Sequence, residues 1–143
     1  MEILRAEKTW QQAAAYYVRI QAMVKGFNIP LDGEFDEHDT PDTKYVVVLD
    51  NGFPIATCRL YEEDETTAKI ERVVVLEEYR GKGIGKYLIE GAEEWIREKG
   101  YKKIIITSRD EAVGFYEKSG YIPDYGRIEK GRVFTCVYME KLL

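Results

Sequence analysis

The stretch VVVLEEYRGKGIG, residues 73–85, decides how this chain folds. Its first half is a β-branched run suited to a buried strand. Its second half places Gly81, Gly83 and Gly85 within five residues, directly ahead of a long helical pattern. A strand, a glycine turn and a helix N-terminus in that order leave backbone N–H groups unbonded where the helix dipole is positive. Such a place receives a phosphate, because missing side chains let an anion reach the backbone and Arg80, Lys82 and Lys86 add positive charge. The spacing excludes two commoner phosphate loops. Lys86 is followed by Tyr87 where a Walker A loop needs Ser or Thr, and GxGxG is not the GxGxxG of a dinucleotide fold.

Beyond the glycines, Ile84, Leu88, Ala92, Trp95, Ile96 and Lys99 share one helical face, with Gly100 as the expected stop. Ahead of them, residues 45–49 and 55–61 read as two strands joined by Asp50-Asn51-Gly52, and residues 68–76 as the third strand of an antiparallel meander. Nearer the N-terminus, residues 3–6 read as a strand. Thr9 is expected to cap a helix that buries Trp10, Ala13, Ala14, Tyr17 and Val24 and stops at Gly26. Residues 30–42 form an acidic loop with one helical turn. Nearer the C-terminus, a strand at 104–107 and a short helix at 110–119 precede a hairpin of residues 121–128 and 132–139. One domain over residues 1–143 is expected, of the α/β (α+β) class.

The charge balance, 21 basic against 26 acidic residues for a net charge of −5, argues against nucleic acid as the main partner. Cys58, Cys136 and the single His38 do not make a metal site of ordinary ligand count. No apolar run is long enough to span a membrane or to serve as a signal-peptide core. The expectation is a cytoplasmic protein with reduced thiols, without metal, membrane or nucleic-acid partner.

Residues 73–85 resemble the acetyl-CoA signature of the GNAT superfamily of N-acetyltransferases: a strand ending in Val, a short turn, then (Q/R)xxGx(G/A). The stretch AVGFYEKSGY, residues 112–121, resembles the second family motif, an FYeklGF-like helix and turn. Val18-Arg19 and Asp36-Glu37-His38-Asp39 are similar to the ElaA-like branch. The resemblance implies a mixed, mainly antiparallel central sheet of six to seven strands flanked by about four helices. It implies direct acetyl transfer from acetyl-CoA, as co-substrate, to a primary amine in a ternary complex. The acceptor class is a small-molecule amine or a lysine side chain, and the oligomeric state is open, a homodimer included. The alternative is a non-catalytic acyl-CoA-binding sensor or interaction domain.

By the same resemblance, the amides of Arg80, Gly81, Lys82, Gly83, Ile84 and Gly85 cradle the cofactor pyrophosphate with Lys86 nearby. The backbone of Val73, Val74 and Val75 pairs with the pantothenate arm like an added strand. Tyr116 stands where many members place a hydroxyl beside the cofactor sulfur, as general acid. Arg109 stands near where many relatives have Asn or Gln on the cofactor arm. The family's base, a Glu on the strand before the loop, falls here on Lys69. Strand alternation puts Lys69, Glu71, Val73 and Val75 on one face, which makes Glu71 the candidate base, with His38 a second by its titration range. The acidic runs 32–42 and 62–65 either draw a cationic acceptor or are simply solvated. Cys58 and Cys136 lie in no nucleophile arrangement.

Overall fold

A computed structural model describes residues 1–143. The meander forms β1 (Glu2–Ala6), β2 (Lys44–Asp50), β3 (Phe53–Glu62) and β4 (Thr67–Val75), each antiparallel to the one before. The β2–β3 turn works because Asn51 and Gly52 both take positive φ, 50° and 81°, which matches the twist of the strands it joins. After the glycine loop, α3 (Ile84–Glu98) crosses to β5 (Lys103–Arg109), and α4 (Val113–Glu117) leads to the terminal hairpin β6 (Ile122–Lys130) and β7 (Thr135–Leu142). The seven strands are ordered β1-β2-β3-β4-β5-β7-β6, and β4–β5 is the one parallel pair. With α1 (Thr9–Arg19) and α2 (Leu31–Glu34), four α-helices flank the sheet as expected.

The sheet is buried on both faces where β2 and β3 lie, so β2 reads as a continuous apolar run. Its Val46 and Val48 join Cys58, Leu60, Ile70, Leu88, Ile89, Ala92 and Ile96 in the main core under α3. The alternate residues Tyr45, Val47 and Leu49 pack with Ala6 and Ala15 beneath α1. Gly91 lets α3 pack directly on β1: a Cβ there would collide with Ile3 Cδ1.

The first helix departs from expectation in three ways. Thr9 is already helical, and the cap is made from inside by Gln11, whose Oε1 accepts from the amides of Glu7 and Lys8, both at 2.8 Å. The buried residues are Ala15, Val18, Arg19 and Ala22, while Trp10 is 55% exposed. Hydrophobicity alone selects the wrong face because the true one carries an arginine, buried by pairing with Glu34 and Asp39. Gly26 does not stop the helix. A π-helical segment, Ile20–Lys25, shifts its register, and the chain leaves helical geometry at Asn28, φ 54°.

Candidate active site

Parallel pairing between β4 and β5 covers three residue pairs, Thr67 with Lys103, Ala68 with Ile104 and Lys69 with Ile105. Beyond them the two strands part. The cause lies in β4, where the register with β3 shifts and Arg72 takes a left-handed φ of 53°, a bulge that turns the strand. The same bulge corrects the face assignment. Val75 lies opposite Ala56 and Glu71 opposite Arg59, and Ala56 and Arg59, three apart on β3, point to opposite faces. Glu71 and Lys69 therefore face the α1 side, while Val75 faces α3.

A cavity of about 1280 Å³ occupies the opening, lined by residues 69–75 of β4, 106–109 of β5, the glycine loop, Phe115 and Tyr116. Gly81 and Gly83 both hold positive φ, 76° and 80°, with open space where a Cβ would stand. Gly83 occupies the N-cap position of α3 without a side-chain cap, and the first intrahelical bond runs from the Tyr87 amide to the Gly83 carbonyl. The amides of Ile84, Gly85 and Lys86 are thus free of intrahelical partners, the first turn holds no acidic residue, and the site fits a pyrophosphate. Gly85 serves packing instead: a Cβ there would sit 3.1 Å from Phe115 Cζ. Arg80 donates from Nε to the Val75 carbonyl at 3.1 Å, tying the loop to the end of β4. Lys86 is exposed beside Glu90 at 3.9 Å, and Lys82 lies 5.6 Å from the Tyr79 ring centroid. Val73, Val74, Val75, Ile84 and Tyr116 line this cavity with Arg80, Gly81, Gly83, Gly85 and Lys86, and Lys82 does not.

Tyr116 is 6% exposed, and burial pushes its hydroxyl well above the usual tyrosine range, so the proton stays on at working pH. Cys58 lies wholly buried, its thiol pushed up to about 12 by desolvation, inert as a nucleophile. Cys136, also unpaired, lines the cavity and has its thiol raised by partial burial. No group of three His, Cys, Asp or Glu is arranged to hold a metal ion.

On the α1 side, Glu71 lines the cavity but is held by Arg59, whose Nη2 and Nε donate to Oε1 at 2.8 and 3.0 Å. Its Oε2 lies 4.0 Å from Lys69 Nζ. Arg59, 1% exposed, also pairs with Asp36 at 2.8 Å and Asp39 at 3.0 Å, and Arg19 pairs with Asp39 and Glu34. Within the 32–42 acidic run, Glu34, Asp36 and Asp39 are paired with arginines, Asp36 with Arg72 as well at 3.1 Å, while Glu34 also lines the cavity. His38 lies outside the cavity, against the Tyr61 ring with centroids 4.3 Å apart.

Sequence reasoning did not anticipate the α1-side wall, made of Met23, Phe27 and Ile29 with Phe134 from the β6–β7 turn. Phe27 and Phe134 meet edge to face at 5.2 Å, and the Arg109 guanidinium lies 4.7 Å from the Phe134 centroid and 5.7 Å from that of Phe27. Arg109 closes this wall here. The π-helical segment Ile20–Lys25 contributes Met23 to this wall, and Phe27 follows just beyond it. No helix is long and apolar enough to cross a membrane.

The profile of the acetyltransferase (GNAT) family matches residues 5–121. YjcF of Bacillus subtilis, an uncharacterised N-acetyltransferase, is 31% identical over 121 residues, 85% of each chain. A crystal structure of a Lactobacillus plantarum protein assigned as an N-acetyltransferase superposes with a TM-score of 0.93 at 33% identity, covering 99% of this chain and 97% of that one. Escherichia coli ElaA shares the fold at 22% identity, with a TM-score of 0.84 and 98% of each chain covered. A strand bulge that opens the sheet, a helix N-terminus ready for phosphate and a family match across both motifs agree, and the chain belongs to the GNAT acetyltransferase family as an acyltransferase.

Proposed function

We propose that the chain transfers an acetyl group from acetyl-CoA directly to a primary amine, the two bound together from opposite faces of the sheet. The observation that carries this reading is the opening between β4 and β5, which joins the glycine loop on the α3 side to the Phe27 and Ile29 wall on the α1 side. Acetyl-CoA, when bound, supplies the acyl thioester. The unbonded amides at the start of α3 and the loop amides from Gly81 to Gly83 hold its pyrophosphate, the Arg80 amide being already bonded to the Glu77 carbonyl at 3.2 Å, and the backbone of Val73, Val74 and Val75 orients the pantothenate arm.

Tyr116 gives its hydroxyl proton to the departing sulfur. Burial raises its pKa and makes the phenol a weaker acid, so the proton moves only to a sulfur that already carries developing negative charge. Glu71 Oε2, or a water beside it, takes the amine proton, with Arg59 fixing the carboxylate through Oε1. The acceptor is a small-molecule amine or a lysine side chain, entering along the apolar wall of Met23, Phe27, Ile29 and Phe134. Two unpaired cysteines accord with a cytoplasmic setting.

Calorimetry with acetyl-CoA on wild type and Gly83→Glu, followed by an acetylation assay across a panel of primary amines, tests the proposal. Expected are binding by wild type, loss of binding in the variant through bulk and charge, and turnover of at least one amine. Retained binding in Gly83→Glu overturns the cradle. Binding without turnover of any amine overturns the transfer in favour of an acyl-CoA sensor.

A further inference from the structure

Helix α3 carries a buried carboxylate that the acyl-transfer reading does not use. Glu93 is 4% exposed, and a charge so placed is costly unless bonded. Its Oε2 accepts from the Tyr121 hydroxyl at 2.7 Å and from Lys141 Nζ at 3.0 Å. Tyr121 is itself 2% exposed, and its ring meets Tyr116 edge to face, centroids 5.9 Å apart. The other aromatic neighbour of Tyr116 is Phe115, at 5.0 Å.

The two neighbours differ in rigidity. Phe115 is 37% exposed and anchored only by packing, whereas the Tyr121 hydroxyl is tied to α3 through Glu93 and onward to β7 through Lys141. Glu93 engages the Tyr121 hydroxyl, and the Tyr116 hydroxyl has no side-chain partner. Tyr116 lines the cavity.

We propose that Glu93 and Tyr121 are positioning residues for the transfer: the Glu93 carboxylate fixes the Tyr121 ring, and that ring fixes the Tyr116 hydroxyl at the reactive end of the cavity. The proposal rests on Tyr116 as the proton donor. A purely structural role would weaken folding and leave the chemical step alone, so the readout is single-turnover kcat with acetyl-CoA KM and thermal midpoint beside it.

Tyr121→Phe removes the hydroxyl and keeps the ring; Glu93→Leu removes the acceptor; Glu93→Gln restores an acceptor oxygen. Expected are a loss in kcat of roughly tenfold for the first two with acetyl-CoA KM unchanged, and near-wild-type kcat for Glu93→Gln. In a Tyr116→Phe background the same changes should have no further effect on kcat, since the hydroxyl they position is gone. Where Glu93→Leu fails to fold, Tyr121→Phe decides. Losses that multiply with Tyr116→Phe, or wild-type kcat in Tyr121→Phe while Tyr116→Phe is slow, overturn the positioning role alone. Wild-type kcat in Tyr116→Phe overturns the proton donor and the positioning role with it.

Discussion

Tyr116 is a buried phenol at the lining of the cavity, where the proposed transfer releases a thiolate. In the proposed transfer the phenol matters through a proton it delivers only as charge develops on sulfur. Tyr116→Phe should lower the single-turnover rate by roughly tenfold to ten-thousandfold while acetyl-CoA affinity by calorimetry stays at the wild-type value. A matched loss of affinity would instead make the hydroxyl a binding contact. Cys58, beside Tyr116 in the same core, has no such role, since its thiol is pushed up to about 12 by complete burial. Cys58→Ala should leave turnover unchanged and cost stability of about 1–2 kcal/mol in denaturant unfolding, the loss of one small buried group.

At the scale of elements, the bulge in β4 does what helices and glycines alone cannot. It breaks parallel pairing after Lys69 and Ile105, and it rotates Glu71 away from the face of Val75. The left-handed backbone of Arg72 is the point of strain, about 1–3 kcal/mol for a non-glycine residue. Glycine should relieve this strain and a β-branched residue should increase it. Accordingly, Arg72→Gly should keep acetyl-CoA affinity near wild type, and Arg72→Val should weaken it, as read by calorimetry. Equal affinities would mean that the bulge does not set the opening.

For the molecule as a whole, the stabilising terms include an apolar core and a large ionic network on the α1 side. Leu88, fully buried under the sheet, should cost about 2–5 kcal/mol on replacement by Ala, measured by denaturant unfolding. The network of Arg19, Arg59, Glu34, Asp36, Asp39 and Glu71 ties the 30–42 segment to β3 and β4. Burial alone would raise the Asp36 and Asp39 carboxyls, but hydrogen bonds from Arg59 to Asp36 and from Arg19 to Asp39 outweigh it and hold both below the usual carboxylate range. Their contribution is therefore complete above the unfolded carboxylate pKa of about 3.9, and is lost as pH falls through the folded values. The thermal midpoint should hold from pH 7 to about pH 4.5 and drop below that, with a shallower drop in Asp39→Asn.

Two kinds of information produced this protein. Local features were legible in the chain itself: the strand, glycine turn and helix of residues 73–100, the Asn51-Gly52 hairpin and the AVGFYEKSGY motif. Each rests on backbone preferences and spacings within about ten residues, which neighbours in space reinforce without altering. The buried face of α1, the bulge at Arg72, the ionic network, the Phe27, Phe134 and Arg109 wall and the bond from Tyr121 to Glu93 were decided only by the tertiary structure. In each, the deciding partner lies far along the sequence. A charge reads as surface until its counter-charge is known, and strand alternation holds only until a strand must bend to open a site.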